Sequence, residues 1–471
     1  MSGPTPDARA LLGRLWDALD GWEATFTPVA PHPALGVDPA RLDAAVDAFV
    51  ARLTGPTTPA TPEAARGSYP FFHPAYAGQM LKPPHPVAVA AYATALRLNT
   101  NNHALDGGPP TSQMEKEVVA DLAAMLGLPG ALGHLTGGGT VANLEALLVA
   151  REETGGRTVL ASADAHYTHA RMCGVLGVPF ETVAADARGR MDLDALEARL
   201  AAGGVGTVVL TAGTTGLGAV DPIHEAIPLA RAHGARVHVD AAYGGFFRLL
   251  AGDGAASPDG FPAGAFRAIA DADSVVLDPH KHGLQPYGCG AVFFADPAVG
   301  RHYAHDSPYT YFTSDDLHLG EISLECSRPG AAAAALWLTL QVLPLRADDG
   351  LGPILRAGMS AARDLAARLD ASERFAVVTP PETDIVVYAP VAESVRAVDA
   401  ASARIFDAGM SDAADPLFLS LYRLAADRLP LPGLARDADA ARVLRSVLMK
   451  PQHEPFVPHL AARLDALASA G

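Results

Sequence analysis

Five short apolar runs constrain what this chain can fold into more than any other feature. They cover residues 158–161, 207–211, 236–239, 274–277 and 290–294. Runs of this length, bounded by glycine or polar residues, are typical of strands that are buried on both faces of a parallel sheet. Amphipathic segments at 193–200 and 223–233 separate some of the runs and predict helices. The alternation therefore predicts an α/β fold whose helices cover both faces of a mainly parallel sheet.

The patterns before and after these runs divide the 471 residues into three parts. Residues 1–65 contain two helical patterns and end in a connector rich in proline and threonine, which predicts an N-terminal helical segment. Residues 66–330 hold the large α/β domain. Residues 331–471 begin with an alanine-rich linking helix at 331–343 and predict a small C-terminal α+β domain. Its predicted elements are a hairpin at 375–379 and 385–389, a strand at 416–424, and a helix followed by a strand within 440–449.

Composition narrows the classes of function. Lys and Arg total 35 against 52 for Asp and Glu, which gives a formal net charge of −17. An acidic chain repels phosphate backbones and anionic lipid surfaces, so we expect no nucleic-acid partner and no membrane partner. Cys173, Cys289 and Cys326 are too scattered for a disulfide framework or a zinc ribbon. No secretory leader and no membrane-length apolar run is visible, which favours the cytoplasm.

A glycine-rich segment at residues 136–143 precedes a helical pattern. Glycines that open a helix expose backbone N–H groups, and the helix dipole adds a favourable potential for an anion. Gly138, Gly139 and Thr140 are therefore candidate phosphate-binding residues, although an ordinary helix start has the same pattern. The spacing matches neither a dinucleotide-binding fingerprint nor a phosphate loop with its lysine.

Two charged residues follow predicted buried strands. Asp240 ends the run at 236–239, at the edge where open α/β sheets bind ligands, although a carboxylate there also caps turns. Lys281 follows the run at 274–277 and lies between His280 and His282. A lysine amine becomes nucleophilic and forms Schiff bases when burial or a neighbouring cation lowers its pKa. His280 is the candidate for that cation.

His166 and His169 follow the run at 158–161. An imidazole at this position can stack on an aromatic ring or bind a metal, but no further ligands follow in a metal-site pattern, so we predict no metal. An anion site, a flat ring neighbour, a carboxylate and a Schiff-base lysine are the groups that pyridoxal phosphate needs for its phosphate, ring, ring nitrogen and aldehyde. Pyridoxal 5'-phosphate is therefore the predicted cofactor.

The chain resembles a known family over about residues 71–451. The resemblance rests on the segments 101–103, 138–145, 240–245, 278–281, 327–332 and 444–449. The family is that of the pyridoxal-phosphate-dependent group II amino-acid decarboxylases, and the chain is most similar to the bacterial tyrosine decarboxylases and the archaeal tyrosine/aspartate decarboxylases. The resemblance implies the type I fold of pyridoxal-phosphate enzymes, like that of aspartate aminotransferase. It also implies a homodimer whose active site lies at the subunit interface, with the N-terminal helices contributing to that contact.

The resemblance also implies a role for each site residue. Lys281 forms the Schiff base with the cofactor, Asp240 pairs with the ring nitrogen, and His166 stacks on the ring. The other implied cofactor-binding residues are Ala242 on the opposite ring face, Thr211 and Asp278 beside the cofactor, and Gly138, Gly139, Thr140 and His280 at the phosphate. Two residues depart from the pattern: Asp278 replaces the Asn of the animal aromatic decarboxylases, and His282 stands where the family has a hydrophobic residue.

Three tyrosines are candidates for the group that protonates the substrate carbon after carbon dioxide leaves. Tyr287 matches a tyrosine that the bacterial tyrosine decarboxylases hold near the substrate, and it is a candidate either for this acid or for orienting the substrate carboxylate. Tyr309 and Tyr311 lie in a turn-rich segment, 302–320, that resembles a mobile lid, and packing is the alternative role for both. Phe72 and His103 are candidates for binding an aromatic side chain and its hydroxyl group.

The predicted reaction is the decarboxylation of an aromatic L-amino acid, tyrosine first, to an amine. A glutamate or aspartate decarboxylase is the alternative, and it needs a cation for the distal carboxylate, for which Lys82, Arg248 and Arg328 are available. Another lyase or an aminotransferase of the same fold, a metal-dependent hydrolase and a non-catalytic binding protein are more distant alternatives.

Overall fold

The computed structural model describes residues 4–55, 67–252, 257–305 and 315–470. Two N-terminal helices, α1 (Ala8–Glu23) and α2 (Pro39–Thr54), bury none of their residues within the chain. Helix α1 packs on α3 (Pro86–Leu98), where Arg97 pairs with Asp20 at 2.8 Å and with Glu23 at 2.7 Å. The described residues include no helix that is both long enough and apolar enough to cross a membrane.

A seven-stranded sheet forms the centre of the large domain. Its strands are β1 (Leu132–Thr136), β2 (Thr158–Ser162), β3 (Phe180–Val183), β4 (Val205–Thr211), β5 (Arg236–Asp240), β6 (Ser274–Leu277) and β7 (Gly290–Phe294). The order across the sheet is β1-β7-β6-β5-β4-β2-β3, and the five strands from β2 to β6 run parallel. The predicted runs are thus confirmed as strands, and β4, β6 and β7 are buried at every position.

The direction of β7 differs from the prediction of parallel strands. This strand is antiparallel to both of its neighbours, β1 and β6. A parallel return needs a crossover, usually a helix, whereas the connection between β6 and β7 contains none. The chain therefore turns back directly, and the segment that contains Lys281 lies in this turn.

Helices cover the sheet and continue into the small domain. The helices of the large domain are α4 (Pro109–Leu126), α5 (Gly139–Thr154), α6 (Thr168–Leu176), α7 (Leu193–Ala201), α8 (Ile223–Ala232) and α9 (Ala263–Arg267). Helices α7 and α8 confirm the two amphipathic segments. The later helices are α10 (Gly330–Val342), α11 (Gly352–Asp370), α12 (Val395–Ser411) and α13 (His453–Ser469). Valine, leucine and phenylalanine side chains from the sheet and these helices form the main core.

The small domain contains a second, antiparallel sheet. Its strands are β8 (Phe375–Val377), β9 (Ile385–Pro390), β10 (Ser420–Ala425) and β11 (Ala440–Val447), in the order β10-β11-β9-β8. The hairpin of β8 and β9 confirms the prediction. The helix predicted within 440–449 is wrong, because β11 is continuous and pairs on both sides, with β10 and β9. Cross-strand pairing on both edges outweighs the helix propensity of Ala440 and Ala441.

Candidate active site

A cavity of about 360 Å³ opens at the carboxyl ends of β4 and β5 and at the start of α5. Gly138, Asp240 and Lys281, which come from three separate segments, all line this cavity. The other predicted cofactor-binding residues in its lining are Gly139, Thr140, His166, Thr211, Ala242, Asp278 and His280. The fold therefore brings the whole predicted cofactor-binding set together.

The glycine-rich segment gives α5 an open N-terminus. Gly138 has φ +141°, a backbone conformation that favours glycine, and no side chain caps the first N–H groups of α5. A Cβ atom on Gly139 would lie 2.8 Å from Oδ2 of Asp278. The absence of side chains thus lets the Asp278 carboxylate approach the backbone, and it leaves N–H groups available for an anion.

Asp240 is held as a carboxylate at the end of β5. Its Oδ1 accepts a hydrogen bond from the Ala242 N–H at 3.1 Å, and its Oδ2 lies 3.0 Å from Nε2 of His169, although that N–H is not well aligned on the oxygen. Burial alone would raise the pKa of Asp240, but the contact with His169 and the charge of Lys281 outweigh burial and hold this pKa well below its usual range. A permanent negative charge therefore faces the cavity.

His169 contacts the candidate site in a way that the sequence did not reveal. Its spacing of three from His166 suggests only a pair of metal ligands. The structure buries His169 fully at the start of α6 and directs it to Asp240. Among the described residues, no group of three or more His, Cys, Asp or Glu side chains is arranged to hold a metal ion.

Lys281 pairs with Asp278 rather than with a cation. The Nζ atom lies 2.9 Å from Oδ2 of Asp278. Nδ1 of His280 lies 2.8 Å from the Cys289 carbonyl oxygen, and burial lowers the pKa of His280. The imidazole is therefore neutral near pH 7 and does not supply the positive neighbour that the sequence indicated. The charge closest to the lysine amine is the carboxylate.

Several polar atoms in the cavity wall fit pyridoxal phosphate. Oγ1 of Thr211, Oγ1 of Thr168 and Oδ1 of Asp278 are buried and have no hydrogen-bond partner within the described chain. Buried polar atoms normally have partners, so these atoms indicate a polar ligand. His166 also lines the cavity; burial lowers its pKa, and its Nδ1 accepts a hydrogen bond from the Thr168 N–H at 3.2 Å. Its ring is therefore neutral and suited to stacking.

The predicted substrate-binding residues, unlike the predicted cofactor-binding residues, do not belong to the described lining of the cavity. The Tyr287 hydroxyl donates to the Met80 carbonyl oxygen at 3.2 Å, and its ring centroid lies 4.6 Å from that of His280. Phe72 is 71% exposed, and neither it nor His103 belongs to the cavity lining. Tyr309 and Tyr311 lie outside the described residues.

Comparison with known sequences assigns the chain to a family. The profile of the pyridoxal-dependent decarboxylase conserved domain matches residues 72–389, which is more than half of the chain. The chain belongs to the pyridoxal-dependent decarboxylases. It is accordingly a carboxy-lyase that uses pyridoxal phosphate to decarboxylate an amino acid.

Relatives of this decarboxylase act on different amino acids. An L-2,4-diaminobutyrate decarboxylase of Rhizobium meliloti is 32% identical over 352 residues, which cover 69% of this chain and 68% of that protein. A probable L-tyrosine/L-aspartate decarboxylase of Methanothermobacter thermautotrophicus is 29% identical over 314 residues, which cover 66% of this chain and 82% of that protein. The family thus establishes the reaction class, and the relatives leave the substrate open.

Solved structures agree with the fold of the decarboxylase. The structure of mouse CSAD has a TM-score of 0.74 at 22% identity and covers 98% of both chains. The structure of Oryza sativa TDC with PLP and tryptamine has a TM-score of 0.72 at 20% identity and covers 99% of both chains. The type I fold with a large mainly parallel sheet and a small C-terminal domain is therefore confirmed.

Proposed function

We propose that this decarboxylase converts an aromatic L-amino acid, tyrosine first, into the corresponding amine and carbon dioxide. The observation that carries the proposal is the convergence of Lys281, Asp240 and the open N-terminus of α5 on one cavity whose wall also offers an aromatic ring. Pyridoxal phosphate supplies an aldehyde that links to amines and a protonated ring that withdraws electrons from the carbon losing its carboxylate.

The residues of the cofactor side bind and orient in this proposal. The N–H groups at the start of α5, from Gly139 onward, together with Thr140 and His280, would hold the phosphate at the positive end of this helix, beside Gly138. The Asp240 carboxylate keeps a proton on the ring nitrogen, because its pKa stays well below its usual range. His166, in the cavity lining, would lie against one face of the ring.

Four further cofactor-side residues complete this arrangement. Ala242 would lie against the other ring face, and Thr211 and Asp278 would offer the partnerless buried oxygen atoms. Lys281 would provide the amine that links to the aldehyde, and Oδ2 of Asp278, 2.9 Å from Nζ, would hold that amine in place.

Tyr287 delivers the proton to the substrate carbon in this proposal. Its hydroxyl is anchored at the Met80 carbonyl oxygen beside His280, and burial raises the pKa of Tyr287 so that it remains protonated. A protonated phenol that packs against His280, a residue of the cavity lining, is a suitable general acid. Tyr309 and Tyr311 remain further candidates for the same role.

The cavity wall supports an aromatic side chain. Tyr167 lines the cavity, is 66% exposed, and stacks on His166 with 4.3 Å between ring centroids. Within the described part of the lining, Lys281 is the sole lysine or arginine. Of the cations considered for a distal carboxylate, Arg328 is already paired with Glu115. An aromatic ring therefore has a stacking platform in the described wall, whereas a second carboxylate lacks a cation there.

An acidic amino acid is the second candidate substrate, because the related sequence of Methanothermobacter thermautotrophicus is named a probable L-tyrosine/L-aspartate decarboxylase. None of the cations considered for its distal carboxylate, Lys82, Arg248 and Arg328, belongs to the described lining of the cavity. The aromatic substrate therefore remains the first candidate.

An amino-acid panel tests the proposed function. The protein is incubated with pyridoxal phosphate and single L-amino acids, and carbon dioxide and amine are followed by mass spectrometry. We expect tyramine or another aryl amine. Amine only from glutamate or aspartate contradicts the aromatic substrate, and a keto acid without carbon dioxide contradicts decarboxylation.

We also propose that the decarboxylase is a cytoplasmic homodimer. The N-terminal segment exposes Trp22 in α1, Phe26 just after it, and Val46 and Phe49 in α2, each at 50% or more. A second copy of the chain is the simplest cover for these apolar faces. Light scattering at micromolar concentration tests this proposal, and a stable monomer contradicts it.

A further inference from the structure

His282, where the sequence departs from the family pattern, is buried directly behind the candidate active site. Its side chain is 1% exposed, although it directly follows Lys281. Nδ1 lies 2.9 Å from the backbone carbonyl oxygen of Tyr243, and Nε2 lies 2.8 Å from Oδ2 of Asp384. Both ring nitrogens thus face oxygen atoms that accept hydrogen bonds.

The Asp384 side chain is the charged centre of these contacts. Burial alone would raise the pKa of Asp384, but the contacts with His282 and Tyr243 and the charge of Lys82 hold that pKa below its usual range. Asp384 is therefore a carboxylate, and its Oδ2 faces Nε2 of His282. The Tyr243 hydroxyl donates to the other carboxylate oxygen, Oδ1.

These contacts join three segments of the chain. Tyr243 lines the cavity and follows Asp240 in the segment after β5, and His282 belongs to the turn between β6 and β7. Asp384 directly precedes β9 in the small domain. The Asp384 carboxylate of the small domain therefore contacts two segments of the large domain, the one that carries Asp240 and the one that carries Lys281.

Packing leaves the His282 segment little room to shift. The ring of His282 lies 4.9 Å from that of Phe247 and 4.7 Å from that of Tyr243, measured between centroids. A Cβ atom on Gly283 would lie 2.7 Å from the Pro279 carbonyl oxygen. The backbone around Lys281 is thus enclosed on the side away from the cavity.

We propose that His282, Asp384 and Tyr243 form an interdomain triad that positions Lys281 and the segment after β5, and so sets the affinity for pyridoxal phosphate. The triad rests on the proposed role of Lys281 in binding the cofactor. Its members are positioning residues, because they act through the backbone of the neighbouring residues. A misplacement of about 1 Å in such a segment is enough to lower the efficiency of a site strongly.

A second buried pair in the same protein provides a matched control. Nε2 of His134 lies 2.8 Å from Oε2 of Glu145, and Nδ1 lies 2.8 Å from the Leu135 carbonyl oxygen. Both side chains are fully buried, as in the triad. Both residues belong to the large domain, in β1 and α5, and neither lines the cavity. Disrupting this pair therefore reports the general effect of disrupting a buried histidine–carboxylate contact.

The test compares Asp384→Asn and His282→Leu with the control Glu145→Gln, all as cofactor-loaded proteins. Equilibrium dialysis measures the affinity for pyridoxal phosphate, and hydrogen exchange measures the protection of the peptide 278–289. We expect each triad variant to bind the cofactor about tenfold more weakly. A loss of this size lies within the range of interaction energies found between residues in contact. We also expect the peptide 278–289 to exchange faster in both. The control should keep the wild-type affinity and the wild-type exchange of this peptide.

Wild-type cofactor affinity in both folded triad variants overturns the proposal, and so does an equal loss in Glu145→Gln. If a triad variant does not fold, Tyr243→Phe replaces it, because that change removes only the hydroxyl; an unchanged affinity in Tyr243→Phe also overturns the proposal. Neither readout requires turnover. Failure of the proposed decarboxylation would appear in the amino-acid panel, and failure of the triad in cofactor affinity, so the two are distinguishable.

Discussion

The cofactor side and the substrate side of the candidate active site differ in how completely one chain encloses them. The cofactor side, which comprises Gly139, Asp240 and Lys281, lines one cavity and has buried partners. The proposed substrate side, which comprises Tyr287 and Phe72, is 57% and 71% exposed at these residues. The difference shows that the edge of one chain's main sheet encloses the proposed cofactor-binding residues, whereas it leaves the proposed substrate-binding residues open.

Replacing Lys281 should have the largest effect. Lys281→Ala removes the amine that links to the cofactor, so we expect turnover to fall by about a thousandfold or more, as for other groups that act as one unit in catalysis. Borohydride should no longer trap a cofactor adduct. The chain contains only three other lysines, Lys82, Lys116 and Lys450, so peptide mapping of the adduct is direct. Lys116→Ala is the control; an adduct that survives in Lys281→Ala would mean that another lysine binds the cofactor.

Neutralising Asp240 should have the next largest effect. Asp240→Asn removes the charge that keeps the ring nitrogen protonated, and we expect kcat to fall several-hundredfold, about the scale of losing one electrostatic contact to the reacting group. His169→Leu leaves the carboxylate in place and should cost less, about tenfold, because only the neighbour that keeps Asp240 ionised is lost. Steady-state kinetics at saturating cofactor measure both values. Equal losses in the two variants would contradict this ranking.

Tyr287 tests the substrate side. Tyr287→Phe removes the proposed general acid, and we expect kcat to fall by about a hundredfold. The affinity for pyridoxal phosphate should stay the same, because the hydroxyl contacts the Met80 carbonyl oxygen on the outer edge. Stopped-flow kinetics and cofactor titration separate the two quantities. If the variant loses cofactor affinity and keeps its kcat, Tyr287 binds the cofactor and does not protonate the substrate.

Adding one methyl group at Gly139 should have the smallest of these effects. Gly139→Ala would bring a Cβ atom to 2.8 Å from Oδ2 of Asp278, so the carboxylate must shift. We expect cofactor affinity to fall by about tenfold, because overpacking of this kind costs roughly 1–3 kcal/mol. Gly174→Ala, in helix α6 with no atom within 4 Å of the added Cβ, is the control. Equal affinities in the two variants would show that the approach of Asp278 to α5 is unimportant for cofactor binding.

The sequence predicted that the residues of the proposed cofactor side come together, and they do line one cavity, because short-range patterns determine their positions. Buried strands end at Asp240 and just before Lys281, and glycines mark the start of α5, so these positions follow from periodicity and turn chemistry. Contacts between distant segments were not predictable. The pairing of His169 with Asp240 and of His282 with Asp384 requires knowing which helix or loop packs on which strand. The antiparallel direction of β7 depends likewise on the connection, since the apolar run alone fits either direction.

The position of β7 bears on the order in which the protein folds. Strand β1 is an edge strand of the main sheet, and it joins the sheet through β7, where Thr136 pairs with Gly290 across a long stretch of sequence. Pairing of such distant segments is slow, because a large loop must close before the contacts form. This pairing places the glycines after β1 next to the turn that carries Lys281. We therefore expect cofactor absorbance during refolding to develop with the closure of this edge, after the parallel strands have formed.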